Sequence, residues 1–156
     1  MFNNISHYNL PNFLTHRQHV HFLIVAKNLH EDHWTPYKTS SGRPDGFSYY
    51  DLKTTFIGKN VYLLKMNPHN RIDWHTDSSK RTIALTYPLS EQYAPCQFEN
   101  NESTSKPAFL NTQQRHAVFN NAQTRYSLNI SFEENMDDCI ALFESLNEYE
   151  FKTPQL

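Results

Sequence analysis

The segment RYSLNISF, residues 125–132, is the most regular alternating stretch of the sequence. Its even-numbered positions are aromatic or aliphatic, and its odd-numbered positions carry polar side chains, namely Arg125, Ser127, Asn129 and Ser131. Successive side chains of a strand point to opposite faces of a sheet, so this pattern predicts a strand whose two faces meet different environments. We expect the apolar face to be packed and the polar face to present Arg125 and Ser127 together.

Strand-like patterns recur upstream of this segment. Residues 61–66 form an apolar run of strand length, and residues 82–89 alternate with period two. Shorter candidate strands are residues 96–99, 108–110 and 117–119. The polar segment 99–107 is expected to form an exposed turn. Many short strands with two different faces indicate a jelly-roll-like, cupin-like barrel and therefore a mainly β fold.

Helical patterns flank this predicted barrel. In residues 11–29, Thr15 and Gln18 have the spacing of a capping box, and apolar residues follow at the spacing of one helix face. Residues 136–149 carry a second apolar stripe, which begins after Asn135, a plausible N-cap. We expect both helices to pack against the barrel as buttresses.

The chain length of 156 residues suits one domain. We therefore predict a single domain, residues 1–156, with its β core at about residues 61–132. Residues 11–60 are expected to form a helical and loop region, and residues 136–149 the C-terminal helix. Within the N-terminal region, residues 35–48 are rich in turn formers and are predicted to be a long loop.

Composition excludes several functional classes. The net charge is −2 with no run of basic residues, which argues against nucleic acid as a partner. No apolar run approaches the roughly 20 residues of a membrane span. Three glycines are too few for a glycine-rich phosphate loop. Cys96 and Cys139 form no paired motif, and with no N-terminal signal sequence we expect free thiols in a cytoplasmic protein.

The segment NPHNRIDWHTD, residues 67–77, carries the clearest chemical signal. In an extended backbone, His75 and Asp77 project to the same side and can face one metal ion. His116, which follows a polar turn and begins a short apolar segment, is a candidate third ligand. Two imidazoles and one carboxylate on one face suit Fe(II) with open coordination positions. The alternative is that the spacing of His75 and Asp77 is chance, because the chain has nine histidines.

Arg125 and Ser127 add a second element of chemistry. A guanidinium and a hydroxyl on one polar face can bind a carboxylate, with paired bonds from arginine and another from serine. An arginine that points into a barrel is costly without an anionic partner. The alternative is an ion pair at the protein surface.

The order of these motifs resembles the Fe(II)- and 2-oxoglutarate-dependent oxygenases, which are built on a double-stranded β-helix. The stretches MNPHNRIDWHTD, RTIALTYPL and LNTQQRHAVFNNAQTRYSLNIS are most similar in character to aspartyl/asparaginyl β-hydroxylase-like and phage-type hydroxylases. The resemblance covers about residues 61–132.

This resemblance implies a role for each matching residue. His75, Asp77 and His116 match the iron ligands, and Arg125 matches the residue that holds the far carboxylate of 2-oxoglutarate, with Ser127 beside it. Arg81 is placed, by a less regular spacing, near the other carboxylate of this cosubstrate. The acidic ligand Asp77 favours hydroxylation over halogenation.

The implied activity is a dioxygenase that uses Fe(II), 2-oxoglutarate and O2 to hydroxylate an amino-acid side chain in a peptide or protein. Three alternatives stay open for function. The first is hydroxylation of a free amino acid or small metabolite, and the second is a non-catalytic, cupin-like metal-binding module. The third is a structural phage or host protein that keeps a jelly roll.

Overall fold

The computed structural model describes residues 1–38, 44–146 and 151–152. Its strands, in chain order, are β1 (His7–Asn9), β2 (Thr35–Lys38), β3 (Pro44–Phe56), β4 (Lys59–Met66), β5 (Arg71–His75), β6 (Ile83–Pro88), β7 (Cys96–Phe98), β8 (Ser103–Thr104), β9 (Ala108–Asn111), β10 (His116–Phe119), β11 (Arg125–Phe132) and β12 (Phe151–Lys152). Its helices are α1 (His16–Asn28) and α2 (Met136–Glu144), with a 3-10 turn at Glu31–His33.

The strands form two antiparallel sheets. The larger has the order β1-β9-β6-β11-β4-β3-β12, with β2 paired to β3, and the smaller has the order β5-β10-β7-β8. Side chains from both sheets meet in one buried cluster, which includes Met66 and Ala84 from the larger sheet and Cys96 and Val118 from the smaller. Two facing sheets of this connectivity make a double-stranded β-helix, which confirms the predicted fold class.

Strand β11 separates two environments, as its alternation predicts. Leu128, Ile130 and Phe132 belong to the main core cluster, which also contains side chains of both helices. Arg125, Ser127, Asn129 and Ser131 occupy the opposite face, toward the smaller sheet. The helices therefore cover one face of the larger sheet, and its other face lines the interior of the barrel.

Both helices begin where their capping residues predict. The Thr15 side chain accepts a bond from Gln18 N, the Gln18 side chain closes the capping box, and Asn135 accepts from Asp138 N. Helix α1 starts later than residue 11, because the cap fixes its first turn at His16. Helix α2 ends at Glu144 rather than at residue 149, and residues 147–149 of that prediction lie outside the described residues.

The predicted loop at residues 35–48 is wrong where the structure describes it. Residues 35–38 form β2, and β3 begins at Pro44, while residues 39–43 lie outside the described residues. The rings of Tyr37 and Phe47 stack at 4.7 Å across the two strands. Cross-strand aromatic pairs of this kind stabilise a hairpin and here override the turn-forming composition.

The larger sheet also extends beyond residues 61–132, because β1 and β3 pair with its strands. The predicted turn at residues 99–107 contains a short strand, β8. These additions enlarge the barrel without changing its class. Among the described residues, no helix is long and apolar enough to cross a membrane.

Candidate metal centre

The smaller sheet brings His75, Asp77 and His116 together. His75 ends β5, His116 begins β10, and the two residues are direct partners in the antiparallel register. The register shifts between His116 and Val118, which pair with His75 and Ile72, so β5 holds one extra residue. A bulge of this kind redirects side chains and is common beside active sites. It turns His75 to the same interior side as Ile72.

The side chains of these three residues converge. The Oδ1 atom of Asp77 lies 3.1 Å from His75 Nε2 and 3.6 Å from His116 Nε2. One candidate ligand atom from each of the three residues lies within 4.8 Å of the other two. The convergence predicted from sequence is therefore found.

The hydrogen bonds of the two histidines fit them for a metal. The Nδ1 atom of His75 lies 2.7 Å from the carbonyl oxygen of Asp73, and Nδ1 of His116 lies 2.8 Å from that of Gln114. A carbonyl only accepts, so each Nδ1 carries a proton, and Nε2 is the nitrogen of each ring that lies near Asp77 Oδ1. Two imidazole nitrogens and one carboxylate oxygen thus lie close together. This donor set fits a divalent metal ion.

Electrostatics favour the ionised form of Asp77 and the neutral form of His116. Burial works against ionisation of Asp77, but the hydrogen bond with His75 and the charge of Arg81 outweigh it and hold the pKa of this carboxyl below its usual range. Burial lowers the pKa of His116, although the bond to Gln114 opposes the shift. An ionised carboxylate and a neutral imidazole are the forms that bind metals.

Arg81 lies beside this group rather than in open space. Its Nε atom is 2.9 Å from Asp77 Oδ2, and its two terminal nitrogens donate to Ser131 Oγ at 2.9 Å and Asn129 Oδ1 at 2.7 Å. Each of its three nitrogens thus faces a protein oxygen. The structure gives Arg81 a set of protein partners where the resemblance implied a cosubstrate carboxylate.

Arg125 lies inside the barrel, as predicted, with only 6% of its surface exposed. Its Nε donates to Ala94 O at 2.9 Å, and its guanidinium stacks on the ring of Tyr93 at 3.9 Å. Within the described chain, no carboxylate pairs with this cation. A buried and uncompensated guanidinium is costly, so an anionic ligand suits this position.

Ser127 and Tyr93 line the same region. Among the described residues, neither hydroxyl has a hydrogen-bond partner of good geometry, although both are buried. Burial raises the pKa of Tyr93, with the nearby Arg125 charge opposing the shift. Buried hydroxyls beside a guanidinium that no described carboxylate pairs with suit a bound carboxylate. Sequence reasoning missed Tyr93, because a tyrosine in the irregular segment before β7 carries no periodic signal.

Cys96 links this region to the metal-ligating group. Its thiol is buried, and burial raises its pKa to about 12. The charges of both Arg125 and Asp77 act on it, the first lowering and the second raising the pKa. Met66, Cys96 and Val118 share one buried cluster. Arg125 contacts the Met66 sulfur at 3.8 Å, and Val118 lies on the same face of β10 as His116. The guanidinium and the His75–Asp77–His116 group therefore line one interior.

Comparisons with known proteins give a fold but no closer relationship. No protein-family model matches the sequence, and no curated protein matches it either. The fold is similar to that of a prolyl hydroxylase from Trichoplax adhaerens, solved with a hypoxia inducible factor oxygen degradation domain peptide fragment. That likeness has a TM-score of 0.68 and 10% identity, and it covers 93% of this chain and 90% of the other.

Two further structures agree. A prolyl-4-hydroxylase from Pseudomonas putida gives a TM-score of 0.61 at 11% identity, covering 86% of this chain and 96% of the other. A 2OG-Fe(II) oxygenase family oxidoreductase from Burkholderia pseudomallei gives 0.57 at 10% identity, covering 86% and 88%. At such identities the likeness establishes the fold, so this chain has the double-stranded β-helix of these enzymes. The predicted likeness to aspartyl/asparaginyl β-hydroxylases stays a prediction.

Proposed function

We propose that this protein is an Fe(II)- and 2-oxoglutarate-dependent dioxygenase that hydroxylates an amino-acid side chain in a peptide or protein. One observation carries the proposal: a converging His75–Asp77–His116 group and the buried, unpaired Arg125 share the interior of one barrel. Neither feature alone requires an oxygenase. Together they supply a metal face and a carboxylate site in the fold that these enzymes use.

We assign His75, Asp77 and His116 as the metal ligands, and Arg125 and Ser127 as the groups that hold 2-oxoglutarate. Bound Fe(II) would supply open coordination positions for the keto acid and O2, and the oxidising power to hydroxylate a C–H bond. Tyr93 keeps the Arg125 guanidinium in place by stacking on it. The backbone carbonyls of Asp73 and Gln114 fix the imidazole orientations of the two histidines.

The buried residues around this site also limit the access of water to it. Arg125 and Ser127 are buried, so water has little access to the carboxylate-binding region. The Arg125 side chain then binds an anion at low effective dielectric, where a charged hydrogen bond is stronger than at the surface. This protein would thereby orient 2-oxoglutarate and keep bulk solvent from it. We take the whole chain as one cytoplasmic domain with this single site.

A peptide or protein substrate is supported by the peptide bound to the Trichoplax adhaerens enzyme. A free amino acid or small metabolite is the second candidate, because the chain offers no residue pattern that selects between the two. A non-catalytic metal-binding module is disfavoured, since metal binding alone gives no reason to bury an arginine without an anion.

The test is turnover of 2-oxoglutarate by protein loaded with Fe(II) in air, measured as succinate, with peptides and free amino acids supplied in parallel. We expect succinate to form in excess of protein, to rise with a true substrate, and to vanish in His116→Ala. Arg115→Ala is a matched control, because Arg115 is next in sequence and its side chain is exposed. Metal binding without any succinate, with every substrate class, would favour the binding module.

A further inference from the structure

The two carboxylate oxygens of Asp77 face different groups. Oδ1 is the atom directed at His75 and His116, and Oδ2 lies 2.9 Å from Arg81 Nε. A carboxylate can bind a metal through one oxygen or both. The orientation seen here offers the metal side one oxygen and gives the other to an arginine.

Arg81 is itself held firmly. Its terminal nitrogens donate to Asn129 Oδ1 at 2.7 Å and to Ser131 Oγ at 2.9 Å. Both residues lie on the central strand β11, and Asn129 is buried. A planar guanidinium that donates hydrogen bonds from two nitrogens and forms an ion pair through the third has little rotational freedom. Its contact with Asp77 therefore restrains the rotation of the carboxylate.

The backbone at both ends of this contact is also restrained. Asp77 N donates to Thr112 O at 2.9 Å, and Thr112 Oγ1 donates to Arg81 O at 2.6 Å. The segment 77–81 is thus tied to the turn before β10, which carries His116. These backbone hydrogen bonds do not set the rotation of the Asp77 side chain. The contact with Arg81 adds that restraint.

We propose that Arg81 is a positioning residue: it reserves Asp77 Oδ2, so that Asp77 meets the metal through Oδ1 alone. The proposal rests on the proposed function, because it concerns the same metal site. It also gives the polar face of β11 two tasks. Arg125 and Ser127 serve the cosubstrate, while Asn129 and Ser131 serve the metal ligand through Arg81.

The restraint has a direct consequence for cosubstrate binding. Three protein donor atoms leave three of six positions on an octahedral metal, and 2-oxoglutarate needs two of them as a chelate. If Arg81 is removed, Oδ2 is released and can occupy one of these positions. Metal binding then persists, while binding of 2-oxoglutarate to the metal-loaded protein is weakened.

The test compares wild type with Arg81→Ala and Arg81→Lys, by calorimetry with Mn(II) alone and then with 2-oxoglutarate added. In Arg81→Ala we expect Mn(II) still to bind, within the roughly 10- to 100-fold loss that follows from removing a residue that orients a ligand, and 2-oxoglutarate to bind at least about tenfold more weakly. The visible spectrum of bound Co(II) should change as well, because it reports coordination number. Arg81→Lys should not rescue either property, since an ammonium cannot hold Asp77, Asn129 and Ser131 in one plane.

Asn129→Ala keeps the charge of Arg81 and removes one anchor, so it covers the case in which Arg81→Ala fails to fold. It should shift 2-oxoglutarate affinity in the same direction by a smaller factor, and Arg115→Ala should leave it unchanged. If a folded Arg81→Ala or Arg81→Lys variant keeps wild-type 2-oxoglutarate affinity and an unchanged Co(II) spectrum, the inference about Arg81 is wrong. The proposed function is not contradicted by that result. A wild type that binds neither Mn(II) nor 2-oxoglutarate would overturn the proposed function, and the inference with it.

Discussion

At the scale of single residues, the site depends on which atom of each side chain is left available. Backbone carbonyls take Nδ1–H of His75 and His116, and Arg81 takes one oxygen of Asp77. Each ligand therefore presents one defined acceptor to the same point. Such prior orientation is what distinguishes a metal site from a chance meeting of polar groups.

Replacing Asp77 tests the anionic ligand. In Asp77→Ala, we expect the fold to persist without metal, because this side chain contributes little to the apolar core. Wild type should be stabilised by added Mn(II), by about 2.7 kcal/mol at a hundred times its Kd, and the variant should lose this gain. The measurement is thermal unfolding with and without Mn(II). Asp73→Ala, which removes an exposed carboxylate from the preceding strand β5, is the control, and equal stabilisation of Asp77→Ala would refute the assignment.

Replacing Arg125 tests the carboxylate site. Hydrogen bonds to charged groups contribute about 1.5–3 kcal/mol, so Arg125→Ala should weaken 2-oxoglutarate binding by about 10- to 100-fold. Arg125→Lys should recover only part, because the planar fork and its stacking on Tyr93 are lost. Calorimetry on the Mn(II)-loaded protein measures both. Undiminished affinity in Arg125→Ala would place the cosubstrate elsewhere and restore the binding-module alternative.

At the scale of elements, strand β3 lies against strand β5 where Gly46 approaches Arg71, the first residue of β5. A Cβ on Gly46 would overlap the carbonyl oxygen of Arg71. The backbones approach this closely only because Gly46 has no side chain. Since β5 begins at Arg71 and ends at His75, this close approach helps to set the position of a metal ligand.

Gly46→Ala should therefore affect both stability and metal affinity. Overpacking of this kind costs about 1–3 kcal/mol, and relief by movement of β5 would displace His75. Gly58→Ala is a matched control: it lies in the β3–β4 turn with φ +71° and open space around it, so it should cost stability alone. Urea unfolding and Mn(II) calorimetry give the two readouts. Equal metal affinity in both variants would show that the close approach does not position the site.

The elements that sequence predicted well are those with a local cause. The alternation of β11, the capping box at Thr15 and the N-cap at Asn135 each depend on residues close in the chain. Strands β2 and β3 were missed, because β2 pairs with β3 and β3 pairs with β4, and the composition of residues 35–48 does not show these partners. A turn-rich composition cannot reveal such partners.

The candidate site divides in the same way. His75 and Asp77 are close in sequence, so their common direction follows from strand geometry, and His116 joins them through the β5–β10 register. The contact between Arg81 and Asn129 spans 48 residues and depends on the side-chain geometry of the folded barrel. The sequence therefore predicted that His75, Asp77 and His116 lie together, but it did not predict the contact of Arg81 with Asn129.

At the scale of the whole molecule, the two faces of the larger sheet have different roles. One face and both helices form the main apolar core, and the other face, with the smaller sheet, encloses the site. Because stability and chemistry use opposite faces, the interior can hold unpaired polar groups such as Arg125 while the core keeps its packing. The same arrangement explains why the fold is recognisable in structures that are only 10–11% identical.

The central claim is that one interior binds Fe(II) and 2-oxoglutarate at the same metal. The most direct measurement is an anaerobic titration of wild-type protein with Fe(II) and 2-oxoglutarate, followed by the visible charge-transfer absorption of an Fe(II)–2-oxo acid chelate. We predict that the band appears at one equivalent of each per chain, and that it is absent in His116→Ala and greatly weakened in Arg125→Ala. A wild type that shows no band, or a folded His116→Ala that keeps it, would contradict the account.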